Sequence, residues 1–570
     1  FRALGDADAS SLGGDAVLDY VQGSIAGSDG EVMPASGLRA SIHGDVVHSR
    51  PLSLRYSPTN VRLYYGTNDG LFRAVNAADG TEAWSLLAPE HFAKLQRLYD
   101  NTPHIKYSGG SEEAGFNYAP KDYFFDGATG QFVVYNDTGG VALAYIYPTM
   151  RRGGRMVYGI NVTDPDLAPQ LLWRLGCPNL DDDTGCSTGF ENIGQTWSMP
   201  IGAYAAGYVD NDDSPKPIVM FGGGFDDCLN EDVAAYPSAC SDAKGKGVYI
   251  VDAETGVLLK YLATDAPVVS ELSPIDIDFD GNIDFAYAAD VAGNIYRVSF
   301  STLTNTNPQA VGAITALEYD LDQWTIAKIG ASSDDELRFF NAPTAAAFKG
   351  LVIVTNGSGD RERPLEANYP YRENVQNRFY ALIDRPYISG DPDTVDLDGD
   401  TMFAVVDPDV ELEEGEVVDE RRLRDLDGWY MDLPDRGEQV ANPAAIAGGK
   451  VFFNTFQPGG ASTGLCTRPL GIGTGYALNL FRPEYTEGTE IAGGGIPIPP
   501  IIATVKIPPG LPACDGVDCP EPPDDPCAGG ACEVVTVCIG CEGFEPVLVE
   551  PVAPPIRKRM YWTEDMDRRR

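Results

Sequence analysis

The feature that most limits how this chain can fold is a short unit that keeps returning: an apolar strand, a tight turn built on Asp or Asn with Gly, and a second apolar strand. "VRLYYGTNDGLFRAVNAADGTEAWSLL" shows it best. Residues 61–65 meet the turn Asn68-Asp69-Gly70, residues 71–76 meet Asp79-Gly80, and a third run carries Trp84. Asp-Gly between apolar runs is a strong hairpin signal, because glycine takes positive φ without a steric cost. Variants start at Gly154 ("GRMVYGINVTDPDLAPQLLWRLG"), Lys246 ("KGVYIVDAETGVLLKYLAT"), Asp284 ("DFAYAADVAGNIYRVSF"), Asn377 ("NRFYALIDRP") and Gly448 ("GGKVFFNTF"). Helical periodicity is scarce. Its best candidate is residues 89–101, where Phe92, Leu95 and Leu98 are spaced for one helix face.

Repetition of this kind across roughly 400 residues predicts an all-β fold, a modified β-propeller of seven blades with loop insertions and few short helices. A large β-sandwich or several small β domains is the alternative. The uneven spacing of the units argues against a regular WD-type array. Residues 1–40 read as a lead-in segment and 41–490 as the propeller. Residues 491–570 change character: "GGGIPIPPIIATVKIPPGLPAC" is Pro-rich and ends on the first of six cysteines, and "PIRKRMYWTEDMDRRR" closes the chain. Pro-rich composition builds no core alone, so this stretch is expected to be an extended, disulfide-stapled tail. Its basic clusters are read as a solvated end, with a docking contact as the alternative.

A formal net charge of -43 over 570 residues excludes ordinary nucleic-acid binding, which needs a basic face. It favours cations, basic partners or solubility. No apolar run approaches the ~18 residues of a membrane span. Phe1 opens directly into small and polar residues, so no signal peptide is read and the chain is expected to be part of something longer. Eleven cysteines lie mostly in close pairs within polar loops: Cys177 with Cys186, Cys228 with Cys240, then Cys514, Cys519, Cys527, Cys532, Cys538 and Cys541, with Cys466 apart. Such pairs predict disulfides and an oxidising compartment. "CIGC" is also the half-site of a zinc centre, but no neighbouring His or second tight pair completes it.

The sharpest motif is "DIDFDGNID". Counted from Asp276, carboxylates fall at positions 1, 3, 5 and 9 (Asp276, Asp278, Asp280, Asp284), and Gly281 stands at position 6. This is the first three-quarters of an EF-hand-type calcium loop, with the Asn282 backbone carbonyl at position 7 as a further ligand. Position 12 is Tyr287 instead of the bidentate Glu, and both flanks read as strands, so Asp284 has to close the site. Calcium, a hard cation taking six to eight oxygens, suits four carboxylates better than magnesium does. The alternative is a metal-free Asp-rich hairpin held by Asx-turn hydrogen bonds. Asp391, Asp393, Asp396, Asp398 and Asp400 form a less regular second candidate, and Asp210–Asp213 read more simply as a solvated turn.

Several stretches resemble the PilY family of type IV pilus biogenesis factors and tip-associated adhesins. They are "GDVVHSRPL", "YYGTNDGLFRAVNAADGTEAW", "GRMVYGINVTDP", "GQTWSMPIGAY", the acidic loop with its following strands, "VTNGSGDRERPL", "VQNRFYALID" and "GWYMDLPDRGEQVANPAAIAGGKVFFNTFQP", in that order along residues 44–480. The resemblance implies a modified β-propeller and Ca2+ bound by Asp276, Asp278, Asp280, the Asn282 backbone and Asp284. It implies a non-enzymatic role in pilus extension, retraction and surface adhesion. Minor pilins of the pilus tip complex and a host or abiotic surface are the implied partners. The implied location is extracellular, at the pilus tip or cell surface after export through the periplasm. Members often carry an N-terminal von Willebrand A-like module, which is not read in this sequence, and the Cys-rich tail is unusual.

A quinoprotein-like, PQQ-dependent propeller dehydrogenase is the competing reading, because "AVNAADGTEAW" and "IVDAETGVLLK" resemble that group's blade repeats. Against it, the acidic loop is self-contained and no adjacent Cys-Cys pair is present. Four histidines, His43, His48, His91 and His104, form no paired metal motif, and no G-x-S-x-G elbow occurs. "FGGGFDD" reads as a turn, not a phosphate cradle.

Overall fold

Strand 285–289 is apolar along its whole length instead of alternating, and the structure gives the reason. The segments 247–252, 285–289 and 294–299 are buried at every position. A strand covered on both faces has no solvent side, so it reads as a continuous apolar run. The computed structural model describes residues 17, 20, 21, 43–106, 115–230, 241–305, 314–334, 337–348, 351–362, 375–386, 392–406, 426–459, 470–507, 533–541 and 547–548. The chain divides into two compact units, residues 1–329 with 386–393, and residues 330–385 with 394–570.

The first unit opens with a sheet of β1 (Leu52–Ser57), β2 (Asn60–Gly66), β3 (Leu71–Asn76) and β4 (Glu82–Leu87), antiparallel throughout. Helix α1 (Phe92–Asp100) follows where the sequence placed it and buries Phe92 and Leu95. A short parallel pair, β5 (His104–Ile105) and β6 (Tyr118–Ala119), comes next. Then come two four-stranded meanders, β7 (Thr129–Tyr135), β8 (Val141–Pro148), β9 (Arg155–Asn161), β10 (Gln170–Cys177), and β11 (Ile201–Val209), β12 (Pro215–Gly222), β13 (Gly247–Asp252), β14 (Leu258–Ala263). Their first strands touch in parallel at Gln131 and Ile201. A further sheet joins β15 (Ser273–Ile275), β16 (Phe285–Ala289) and β17 (Asn294–Ser299), from which the hairpin β18 (Ser301–Asn305) and β19 (Ile314–Glu318) leads to β20 (Thr325–Ala331), set beside β17.

The core lies between successive sheets. Leu54, Tyr64 and Phe72 pack with Ile146, Met156 and Tyr158. Phe132, Tyr147 and Trp173 pack with Val219, Phe221 and Tyr249. Ile218, Met220 and Ile250 pack with Ala286, Ala288 and Val298. Face-to-face stacking of four-stranded sheets is the packing of propeller blades.

In the second unit, β21 (Thr344–Phe348), β22 (Leu351–Gly357) and β23 (Arg378–Asp384) form one sheet with β26 (Gly428–Asp432) and β25 (Met402–Val405), while β24 (Val395–Asp396) pairs with Gly330 and Ala331. The next sheet holds β27 (Gln439–Val440), β28 (Ala445–Ala447), β29 (Lys450–Gln457), β30 (Ile472–Asn479) and β31 (Thr489–Ile491). Phe379 stacks on Phe453 at 3.8 Å between these two sheets. Six blade-sized sheets thus stand among the described residues. The Pro-rich tail forms strands: β32 (Ile501–Ile507) pairs antiparallel with β33 (Glu533–Ile539), which pairs with β34 (Val547–Leu548).

The expected Cys177–Cys186 staple is present, and in the tail, where the pairing was open, Cys538 bonds Cys541. The "CIGC" cysteines are therefore bonded to each other and offer zinc no thiolate. Cys228 is also disulfide-bonded. Cys240, Cys466, Cys514, Cys519, Cys527, Cys532 and the closing basic clusters lie outside the described residues.

Hairpins across the first unit share one device. A side-chain oxygen at the turn's start accepts backbone amides two to four residues on. Asn136 Oδ1 takes Thr138 and Gly140, Asp210 Oδ1 takes Asp212 and Ser214, Asp252 Oδ1 takes Glu254 and Thr255, and Asp290 Oδ1 takes Ala292 and Asn294. Asp290 is fully buried and also accepts from Ala266 N, Asn294 Nδ2 and the Tyr296 hydroxyl. Asp290→Ala strands these donors, so urea unfolding is expected to show a loss of about 3 kcal/mol. Asp210→Ala, on an exposed turn, shifts the urea midpoint far less.

Candidate metal centre

The β15–β16 pairing ends at Ile275 opposite Phe285, so residues 276–284 leave the sheet as a loop. Both ends are fixed. Asp284 N donates to Ile275 O at 2.9 Å. Ile283 bridges to β11, donating to Tyr204 O at 2.8 Å and accepting from Ala206 N at 3.2 Å. Between these anchors the chain curls tightly, with Phe279 at φ 63° and Gly281 at φ 97°. Glycine suits the second position, while an aromatic residue in the left-handed region is uncommon.

The curl brings Asp276, Asp278 and Asp284 together, with one carboxylate oxygen from each inside a 4.8 Å group. Asp276 is aimed by its neighbours, accepting Phe279 N at 2.6 Å and Gly281 N at 2.9 Å. Asp284 is 2% exposed and accepts Ile277 N at 2.9 Å and the Ser301 hydroxyl at 2.7 Å. Asp278 Oδ1 is buried. Asp280 stands outside the trio, bonded to Asn282 through its backbone N at 2.7 Å and Nδ2 at 3.2 Å. The structure therefore collects three of the five residues read from the sequence, and turns Asp280 and Asn282 toward each other. Ser301 and the Ile277 amide, which orient Asp284, had no signal in the motif.

Burial pushes the Asp284 carboxyl up to about 6, and the nearby Asp278 and Asp276 push the same way against the two hydrogen bonds. Carboxylates converging on a buried acid favour any cation that neutralises them. Three carboxylates on a glycine turn, held by backbone amides and a hydroxyl, fit a hard oxygen-seeking ion such as Ca2+.

Other candidates carry less. Asp398 accepts from Ser332 Oγ, Ser333 N and the Tyr380 hydroxyl and pairs with Arg378 at 2.7 Å. Burial raises its proton affinity, but the hydrogen bonds and the Arg378 charge outweigh this and hold it below the usual range. Its acceptors are already used, which argues against a second calcium site around 393–400. Asp391 lies outside the described residues. A cavity of about 490 Å3 is walled by Asp181–Asp183, Asp226, Asp227 and Lys244. There Asp183 pairs with Arg155 and Lys244, and Asp226 accepts Cys228 N and Lys244 N. In "FGGGFDD" the glycines allow close backbone packing: a Cβ on Gly223 would lie 2.5 Å from Gly245 O. His48 is held by Asp126 at 2.6 Å, and His43 is exposed beside Tyr65.

Without metal, the raised Asp284 pKa means the folded loop binds more protons than the unfolded chain between about pH 4 and about pH 6. Stability therefore falls as pH rises through that window. Asp278→Asn relieves the repulsion. In chelator above pH 6 the variant is expected to unfold at higher urea than wild type, whereas calcium is expected to stabilise it less.

Residues 55–318 match the family model described as the PilY1 beta-propeller domain. "Type IV pilus biogenesis factor PilY1" of Pseudomonas aeruginosa (strain UCBPP-PA14) is 26% identical over 320 residues, covering 51% of this chain and 23% of that protein. A PilY1 homolog of Xylella fastidiosa (strain Temecula1) is 24% identical over 439 residues, covering 70% of this chain and 24% of that protein. The chain thus spans about a quarter of the length of these curated relatives. The crystal structure of the Pseudomonas aeruginosa PilY1 C-terminal domain aligns over 76% of this chain and 81% of that one, with 18% identity and a TM-score of 0.48. The matched segment runs from β1 to β19 and contains the acidic loop, and over it the chain is similar to the PilY1 beta-propeller domain.

Proposed function

We propose that this chain is the calcium-binding propeller region of a type IV pilus biogenesis factor, working in pilus extension, retraction and surface adhesion as part of an exported, tip-associated assembly. The pilus role rests on the names of the curated relatives, and the calcium role on the convergence of Asp276, Asp278 and Asp284. Calcium would neutralise the trio and hold the curl between its two anchors. Its removal leaves like charges facing one another, which loosens the loop where Ile283 joins β11. Minor pilins and a host or abiotic surface are the proposed partners. Among the described residues no helix is long and apolar enough to cross a membrane.

The role proposed is a binding role, without catalysis. The acidic loop supplies its own ligands and needs no bound quinone, which weighs against the dehydrogenase reading. Calcium titration by calorimetry is expected to give one saturable site, and Asp278→Ala with Asp284→Ala to weaken it at least about 100-fold. At 100 times the dissociation constant, calcium should add about 2.7 kcal/mol to unfolding stability. No heat of binding in the wild type would sink the calcium role. A pilus-deficient strain restored by the wild-type gene but not by the double variant would tie the site to pilus assembly.

A further inference from the structure

The two ends of the strands in the first unit differ in charge. β7 and β11 run parallel, and each starts an antiparallel meander. The turns 135–141, 161–170, 209–215 and 252–258 therefore lie at one end of their sheets. Ile283, bonded to Tyr204 and Ala206 at the middle of β11, sets the loop 276–284 beside the same strand. These five segments hold twelve Asp and Glu residues and no Lys, Arg or His, and Lys216, just past the turn 209–215, neutralises one of them by pairing with Asp252 at 2.6 Å. At the opposite strand ends the charges are mixed: Arg151, Arg152, Arg155, Lys244 and Lys246 stand among Asp181–Asp183, Glu191, Asp226 and Asp227, with Asp183 paired to Arg155 and Lys244.

Each acidic turn also lifts one large apolar side chain into solvent. Tyr135, Leu167, Val209 and Val257 are 54%, 66%, 43% and 58% exposed, and Phe279 is 86% exposed. A single exposed apolar residue needs no explanation. Phe279 is costlier, since it adds nothing to the core and sits in left-handed backbone that Gly or Asn would take more cheaply. Four such tips on acidic hairpin turns at one end, with a fifth on the acidic loop anchored beside β11, form a pattern: apolar contacts among negative charges.

We infer that this end of the first unit is a protein-docking surface for a partner that presents apolar sockets framed by Lys and Arg. Charge complementarity selects that occupant. An anionic bilayer or nucleic acid is repelled by these charges, and a second copy of this chain carries the same sign. The surface does not depend on the cation, because four tips stand on hairpins outside the acidic loop. One divalent ion also leaves the four carboxylates of that loop net negative.

The test uses the full chain and a fluorescent amphipathic helical peptide of Lys and Leu, with a Lys and Ser peptide of equal charge as control. Anisotropy is expected to show the Lys/Leu peptide binding at least tenfold tighter. Leu167→Ser with Val257→Ser should remove that advantage in chelator and in calcium alike, while calorimetric calcium binding stays intact. Hydrogen exchange should show protection on the turns 161–170, 209–215 and 252–258. Equal affinity for the two peptides, or a footprint at Asp181–Asp183 and Asp226, overturns the inference. So does Phe279-dependent binding to phosphatidylglycerol vesicles, which would make the surface a membrane contact. A dimer in sedimentation that Leu167→Ser abolishes would make it a self-interface and also overturns it.

Discussion

Burial of sheets on both faces is the constraint on which the rest of this structure depends. Once sheets stack with side chains interleaved, central strands such as β13 and β16 lose any solvent side, and polarity moves into the turns at their ends. The chain's acidity is therefore concentrated where strands reverse. The same packing fixes the turns in space, because the strands feeding them are held by neighbours such as Tyr147 against Trp173, stacked at 5.7 Å. Loop 276–284 inherits that rigidity from its two anchors, at Ile275 and at β11.

The ordinary turns and the candidate metal loop are variations on one chemistry. In the turns at Asp210, Asp252 and Asp290 a single carboxylate takes backbone amides and is satisfied. In the loop, Asp276 does the same for Phe279 and Gly281, but two more carboxylates arrive beside it, and the amides cannot balance three charges. A turn that caps itself thereby becomes a turn that attracts an ion.

Much of this was legible in the sequence, since hairpin turns and two-sided burial leave local signatures. The repeating strand–turn–strand unit, helix α1 and the Cys177–Cys186 staple stand where spacing placed them, while the Cys538–Cys541 bond resolves a pairing the spacing left open. The acidic motif was legible as a group but not in detail. Counting alternate residues assumes an even curl, whereas left-handed backbone at Phe279 and Gly281 turns Asp280 away from the trio. Ser301 joins the site from 17 residues beyond Asp284, and Arg378 takes Asp398 from 20 residues before it, distances that motif spacing does not encode. The tail pairing of β32 with β33 crosses a long separation for the same reason. The lopsided charge was invisible because it needs strand direction as well as composition.

That lopsidedness has a consequence before any contact forms. With negative charge largely unrelieved at the turn tips and mixed with arginines and lysines at the other strand ends, the field of the unit is graded along its strands. A charged body approaching within a Debye length, about 8 Å at physiological salt, feels a torque as well as a pull. Encounters are thereby pre-aligned, so ionic strength acts on how often a collision is well oriented, and leaves the contacts themselves largely unchanged.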